Sequence, residues 1–175
     1  SDDEDLPSLS APSQPARAAA PDAPALPSLA GETEELRAER LEHLLERVQR
    51  LREHGRSCFK QRAVEDAALC YEECVWLLGL HEHRWRGAFR EADVQRRLGG
   101  SGAAVLANLA QCYLQGEPPG MPPEPERALA CCQEALDMDP RSCKALFRKG
   151  RALARLGRHA EAEAALARAV RLEPR

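Results

Sequence analysis

The spacing of apolar and small residues in the last part of the chain predicts a pair of packed helices. Apolar residues three or four positions apart lie on one face of a helix. Small residues stand where two helices must approach closely, and large apolar residues stand where they must interlock. These positions are Leu146, Phe147, Gly150, Leu153, Gly157, Ala162, Leu166, Ala169 and Pro174. Residues 143–175 are therefore predicted to form one helix–turn–helix unit.

The same pattern occurs in two earlier parts of the chain, at a period of about 34 residues. The second copy has Asn108, Ala110, Tyr113, Ala128, Cys132, Ala135 and Pro140, and the first has Gly55, Cys58, Phe59, Ala67, Tyr71 and Cys74. The chain thus resembles the tetratricopeptide repeat (TPR) family, in which each repeat is a helix–turn–helix. The resemblance implies an all-α fold, a right-handed superhelix of three such repeats. An unrelated bundle of helical hairpins is the alternative.

The departures from the pattern predict where the repeats begin and end. Repeat one is expected at about 48–81, an insertion at 82–102, repeat two at about 103–142 and repeat three at 143–175, within a domain over 32–175. The Pro- and Gly-rich segment from Gln115 to Pro123 is expected to lengthen the turn of repeat two without disturbing its packing. Gly79 replaces a closing proline, so the helix before it is expected to run on toward Trp85. The insertion is expected to be partly helical and to end at the breaker Gly99-Gly100-Ser101-Gly102.

The N-terminal part of the chain divides into a tail and a helix. Leu41, Leu44, Leu45, Val48 and Leu51 recur at helical spacing, which predicts one long opening helix that starts near Thr33. Residues 1–31 are rich in Pro, Ala, Ser and Asp and have no aromatic residue, which predicts a disordered tail. Five acidic residues and Arg17 give this tail a charge of −4, and the total of −3 leaves about +1 for the remainder. No basic face for nucleic acid is therefore expected.

The chemistry-bearing residues give little support for catalysis or metal binding. The chain has seven cysteines and no secretory signal, so we expect reduced thiols in a cytoplasmic protein. Cys70, Cys74 and the Cys131-Cys132 pair are expected to pack as small apolar side chains. His81 and His83 flank Glu82 without a second ligand pair at zinc spacing. We expect no cofactor, no enzymatic activity and no membrane span, because nucleophile–base pairs, phosphate loops and long apolar runs are missing.

The polar residues on the first helix of each repeat decide what the concave face binds. Repeat three offers Lys144 and Arg148, which are spaced i and i+4 and so share one face. Repeat two offers Asn108, and repeat one offers Arg52 and Arg56, again i and i+4. Four cations and one amide favour an anion, and a carboxylate suits them well. Ordinary solvated helix charges are the alternative for each residue taken alone.

These five residues resemble the dicarboxylate clamp of co-chaperone TPR domains, which bind the C-terminal Glu-Glu-Val-Asp of heat-shock chaperones. Aligned on Gly55, the Lys of the clamp falls on Arg52, and its first Asn falls on Arg56, which departs from the pattern. The resemblance implies a ninety- or seventy-kilodalton chaperone peptide, or another acidic peptide, as the partner. The alternative is a clamp-independent scaffold that docks a partner helix or segment in a multiprotein complex.

The segment from Lys144 to Gly150 is similar to the third repeat of large tacrolimus-binding immunophilins, especially the membrane-anchored type. This resemblance covers roughly residues 40–175. No segment resembles the isomerase domain of that family, so no prolyl isomerase activity is expected of these residues. Because repeat three closes as the sequence stops, we expect either a fragment of a longer protein or an unusually short one.

Overall fold

The computed structural model describes residues 33–80, 92–116 and 120–173, and these residues form six helices. They are α1 (Glu34–Lys60), α2 (Val64–Leu77), α3 (Ala92–Gln115), α4 (Pro125–Met138), α5 (Cys143–Arg155) and α6 (His159–Leu172). The helices pack as three successive hairpins, α1–α2, α3–α4 and α5–α6, and the hairpins stack through α2–α3 and α4–α5. The predicted all-α helical repeat fold is confirmed. Because α3 also contacts α1 and α5, the first helices of the three hairpins share one face.

The long opening helix is present as predicted. Thr33 caps α1 with its side-chain oxygen, which accepts a hydrogen bond from the backbone N–H of Leu36 at 3.4 Å. Leu41 and Val48 are buried in the core. The helix therefore packs along its length and carries residues 52–56 to the face shared by the first helices.

Glycines allow the two helices of a hairpin to approach closely. A Cβ atom on Gly150 would lie 2.6 Å from Leu166 Cγ and 3.2 Å from the backbone oxygen of Ala162, which confirms the predicted close contact of α5 and α6. In the first hairpin, a Cβ on Gly55 would lie 3.0 Å from two ring atoms of Tyr71. Both contacts leave no room for a side chain at the glycine.

The lengthened connection of the second hairpin leaves its helices packed, as expected. Gly116 ends α3 with a φ of 65°, a conformation that suits glycine. The backbone N–H of Glu124 donates to the oxygen of Tyr113 at 2.8 Å, which ties the start of α4 to the end of α3. The added residues are therefore accommodated between two helices that keep their contact.

The prediction that the second helix of repeat one runs on toward Trp85 is wrong for the part that the structure describes. Helix α2 ends at Leu77, and Gly79 follows with a φ of 64°. The N–H of Gly79 donates to the oxygen of Trp76 at 3.0 Å and satisfies a carbonyl at the helix end. A glycine in the left-handed conformation ends a helix as effectively as a proline does.

The prediction that Gly99-Gly100-Ser101-Gly102 interrupts the helix is also wrong, because α3 continues through all four residues. Gly102 lies against two other elements, and a Cβ there would be 2.9 Å from Met138 Sδ and 3.3 Å from Leu80 Cδ1. Glycine costs about 1 kcal/mol in a helix interior relative to alanine. Burial of the neighbouring Leu98, Ala103 and Leu106 outweighs that cost.

Several predictions concern residues outside the described ranges: the tail 1–31, the insertion residues His81, Glu82 and His83, and Trp85. All seven cysteines are free; Cys74, Cys112 and Cys132 are buried, and Cys70 and Cys131 are partly buried. In the described ranges, no group of three metal-ligating side chains comes together. No helix there has the length and apolar character that crossing a membrane requires.

Candidate functional site

A small pocket lies on the face shared by α1, α3 and α5. Its volume is about 140 Å³. Four of the five predicted residues line it, namely Arg52, Arg56, Asn108 and Lys144. The remaining lining residues are Gly100, Ala103, Ala104, Ala107, Asp139 and Ser142. Apart from Asn108, the residues of α3 that line it are glycine and alanine, which take up little of the space.

Arg52 is the most constrained cation of the pocket. Its Nη1 donates to the side-chain oxygen of Gln49 at 3.3 Å, one turn earlier in α1. Its Nε–H is buried and, among the described residues, has no hydrogen-bond partner. Burial, and then the nearby charge of Arg56, lower the pKa of Arg52 from its usual value, although a guanidinium stays charged at neutral pH. Arg52 is therefore a partly buried charge with an unused donor.

Arg148 does not line the pocket but is joined to it through Asn108. Its Nη1 donates to Asn108 Oδ1 at 3.2 Å, across the contact of α5 and α3. Burial lowers the pKa of Arg148, and the buried Tyr71 lies close enough to affect the same group. Because this bond occupies the amide oxygen of Asn108, the amide nitrogen remains as the donor for a ligand.

Lys144 and Arg56 are the exposed cations of the site. Lys144 lies at the start of α5, after the Ser142 cap, whose side chain accepts from the N–H of Ala145 at 3.4 Å. Arg56 forms an ion pair of 3.8 Å with Glu53, one turn earlier on α1. The pair is exposed, so it holds Arg56 only weakly. The residue that departs from the clamp pattern thus faces the pocket and is partly neutralised.

One acidic residue lies among the cations of the pocket. Asp139 is in the turn between α4 and α5, and its Oδ1 accepts a hydrogen bond from the backbone N–H of Arg141 at 3.0 Å. Its carboxylate therefore caps the turn that leads into α5. It also lowers the net positive charge at this edge of the pocket.

Two further arginines extend the site along α5, and the sequence argument missed them. Arg151 Nη1 donates to Gln111 Oε1 at 3.2 Å, and Arg155 Nη1 donates to the backbone oxygen of Leu114. Residues 144, 148, 151 and 155 are spaced i, i+4, i+7 and i+11, which places them on one helix face. That spacing was available in the sequence, but the family pattern drew attention only to the first two.

The five predicted residues are thus brought together, four around the pocket and Arg148 beside it. Their arrangement combines guanidinium groups, an ammonium group and an amide donor on one face, with small residues between them. Such a set can hold a carboxylate through charge-assisted hydrogen bonds.

Comparison with known proteins identifies the repeat. The family model of the tetratricopeptide repeat matches residues 143–175. A C-terminal TPR-containing domain of a putative FK506-binding protein from Plasmodium falciparum has 21% identity and a TM-score of 0.63, with 84% of this chain and 85% of that chain covered. No curated protein sequence matches the chain.

Two other solved TPR domains have a similar structure. The second TPR domain of Spaghetti (RPAP3), bound to the HSP90 peptide SRMEEVD, has 22% identity and a TM-score of 0.60, with 81% of this chain and all of that chain covered (100%). The TPR domain of Arabidopsis OM64 has 23% identity and a TM-score of 0.55, with coverage of 75% and 87%. The chain therefore has the fold of a TPR domain.

Proposed function

We propose that this chain binds the acidic C-terminal peptide of a heat-shock chaperone, of the Glu-Glu-Val-Asp type, through a carboxylate clamp. The observation that carries the proposal is the pocket in which Arg52, Arg56, Asn108 and Lys144 come together across three helices. Such a module acts as a co-chaperone or adaptor and works by binding, without catalysis. Its place of action is the cytoplasm, where the ninety- and seventy-kilodalton chaperones present that peptide.

Each side chain has a role that follows from its chemistry. Arg52 offers a buried Nε–H that still needs an acceptor, and a carboxylate oxygen in the pocket supplies one. Lys144 adds a mobile point charge at the exposed side of the pocket. Asn108 donates its amide N–H groups to a carboxylate or peptide oxygen. Arg148 holds Asn108 in place and keeps other donors for a second carboxylate.

The comparisons support the kind of partner that is proposed, the C-terminal peptide of a chaperone. Two TPR domains of Spaghetti (RPAP3) with the same fold are each bound to the HSP90 peptide SRMEEVD. The TPR domain of the Plasmodium FK506-binding protein agrees with the resemblance to immunophilins. In the sequence, Lys144 and Arg148 match the clamp pattern, Arg52 keeps the charge of its Lys, and Arg56 departs from it.

The experiment that tests the function compares an intact chaperone with the same chaperone lacking its last four residues. The complete chain of 175 residues is expected to bind only the intact form. Lys144→Ala is expected to remove most of the binding, and Lys60→Ala, an exposed lysine of α1 outside the pocket, serves as its control. Equal binding of both chaperone forms would support the clamp-independent scaffold instead.

A further inference from the structure

Three arginines of α5 form a ladder against α3. Arg148, Arg151 and Arg155 each donate from Nη1 to an oxygen of α3, respectively Asn108 Oδ1 at 3.2 Å, Gln111 Oε1 at 3.2 Å and the backbone oxygen of Leu114. We call these three residues the arginine ladder. Arg148 and Arg151 are partly buried, and Arg155 is exposed. The ladder continues the line of Lys144 away from the pocket.

The acceptors of the ladder are all neutral, so they leave its charge uncompensated. Among the described residues, no carboxylate forms an ion pair with these three side chains. Arginines elsewhere do bind carboxylates, as in the pairs Arg47–Glu73, Arg97–Glu42 and Arg158–Glu161, each at 2.7 Å. A guanidinium has five N–H donors, and each ladder residue uses one nitrogen for its bond to α3. The ladder therefore keeps both charge and donors for another molecule.

Lys144 and the arginine ladder together form a cationic strip on α5. This strip is longer than the part that would contact the terminal carboxylates of a bound peptide. From Lys144 to Arg155 is eleven residues, which is about 16 Å along a helix. An extended peptide advances about 3.3 Å per residue, so a strip of this length accompanies about five residues. If a peptide is anchored by its terminal carboxylate near Lys144 and runs along α5, about its fourth to sixth residues from the C-terminus lie alongside Arg151 and Arg155.

We propose that Arg151 and Arg155 form a second cationic subsite that selects acidic side chains upstream of the terminal carboxylate of the bound peptide. This inference rests on the proposed function and defines the ligand further, as a C-terminal peptide with an acidic segment before its last four residues. The bonds to Gln111 and Leu114 hold the two guanidinium groups in place before the peptide arrives, which reduces the entropy lost on binding.

A purely structural role of the ladder predicts a different behaviour. If Arg151 and Arg155 only hold α5 against α3, replacing them weakens the fold and affects every peptide alike. A subsite for acidic side chains affects only the peptides that carry them. The test therefore needs two peptides that share one C-terminus.

The two probes are free-acid peptides, Gly-Gly-Glu-Glu-Glu-Glu-Val-Asp and Gly-Gly-Ser-Ser-Glu-Glu-Val-Asp, which differ only in the two residues before the shared Glu-Glu-Val-Asp and are titrated at one ionic strength. The affinity of the unaltered chain for the first peptide is expected to be at least about fivefold higher than for the second, because each added ion pair raises the affinity by a small factor. Arg151→Gln with Arg155→Gln is expected to reduce this preference below about twofold. Arg158→Gln with Arg171→Gln removes two exposed charges at α6 and is expected to keep the preference.

A charge-retaining variant separates charge from packing. Arg151→Lys with Arg155→Lys is expected to keep most of the preference, and melting curves show whether each variant is folded. Equal affinity of the unaltered chain for both peptides overturns the subsite and leaves the proposed function standing. Binding of neither peptide overturns the proposed function and the subsite together. Loss of preference in the lysine variant equal to that in the glutamine variant also overturns the charge-based subsite.

Discussion

The guanidinium of Arg148 donates to Asn108 Oδ1 at 3.2 Å and so connects the first helices of the second and third hairpins. Both residues were predicted to bind a ligand, and the structure shows that they also bind each other. The bond fixes the amide of Asn108 and supplies one hydrogen-bond partner to a partly buried guanidinium. The contact of α3 and α5 therefore depends on two residues to which the proposed function also assigns ligand binding.

This pair predicts that two clamp substitutions differ in their effect on stability. Lys144→Ala and Arg148→Ala are each expected to lower the affinity for a Glu-Glu-Val-Asp peptide about tenfold or more, because each removes charge-assisted hydrogen bonds. Lys144 is exposed, so its loss is expected to leave the melting temperature unchanged. Arg148→Ala leaves Asn108 without its partner and is expected to cost about 1 kcal/mol. Calorimetric titration and thermal melting measure the two effects, and full binding by both variants would contradict the clamp.

The pocket predicts that Arg56→Asn improves binding of the same peptide. The substitution restores the short amide of the clamp pattern and releases Glu53 from its 3.8 Å ion pair. Affinity is expected to rise, and its dependence on salt is expected to fall, because one exposed charge is removed. Arg50→Asn, at an exposed position of the same helix outside the pocket, is the control. An unchanged affinity and salt dependence would place Arg56 outside the binding site.

The close contact of α5 and α6 predicts opposite effects at two helical glycines. Gly150→Ala places a methyl group 2.6 Å from Leu166 Cγ and is expected to destabilise the fold by about 1–3 kcal/mol. Among the residues that the structure describes, Gly99→Ala meets no atom within 4 Å, and it is expected to stabilise α3 by up to about 1 kcal/mol. Chemical unfolding compares them directly. A stable Gly150→Ala variant would contradict the assigned register of repeat three.

The buried thiols predict that stability falls in alkaline solution. Burial raises the pKa of Cys74, Cys112 and Cys132 to about 12, from an ordinary value near 9.0. Above about pH 9 the unfolded chain releases these protons while the folded chain retains them. The contribution of these thiols to stability is therefore expected to be constant below that pH and to decrease between about pH 9 and 12. Melting curves across this range measure it, and a melting temperature that stays level to about pH 11 would contradict the burial of these thiols.

Much of the fold could be predicted from the sequence because its packing residues are local in the chain. Gly150, Ala162 and Leu166 lie within one hairpin, and their spacing alone predicts that they meet. The N-terminal end of α1 is also a local matter, since the Thr33 cap involves only neighbouring residues. Features of this kind can be predicted without knowing how the remaining helices pack.

The errors concern residues whose role depends on distant contacts or on backbone conformation. Gly102 is tolerated inside α3 because Leu80 and Met138 pack against it, which no local pattern shows. Gly79 ends α2 through a positive φ, where the prediction required a proline. Likewise, only the structure shows that Arg151 and Arg155 bind neutral oxygens of α3 rather than carboxylates.

The measurement that tests the central claim most directly is a calorimetric titration with one peptide ending in Glu-Glu-Val-Asp, prepared as the free acid and as the C-terminal amide. The complete chain is expected to bind the free acid, and the amide is expected to bind at least about tenfold more weakly, because the terminal carboxylate is the group that the pocket holds. The affinity for the free acid is also expected to fall as salt is raised. Equal affinities for the free acid and the amide would contradict the carboxylate clamp.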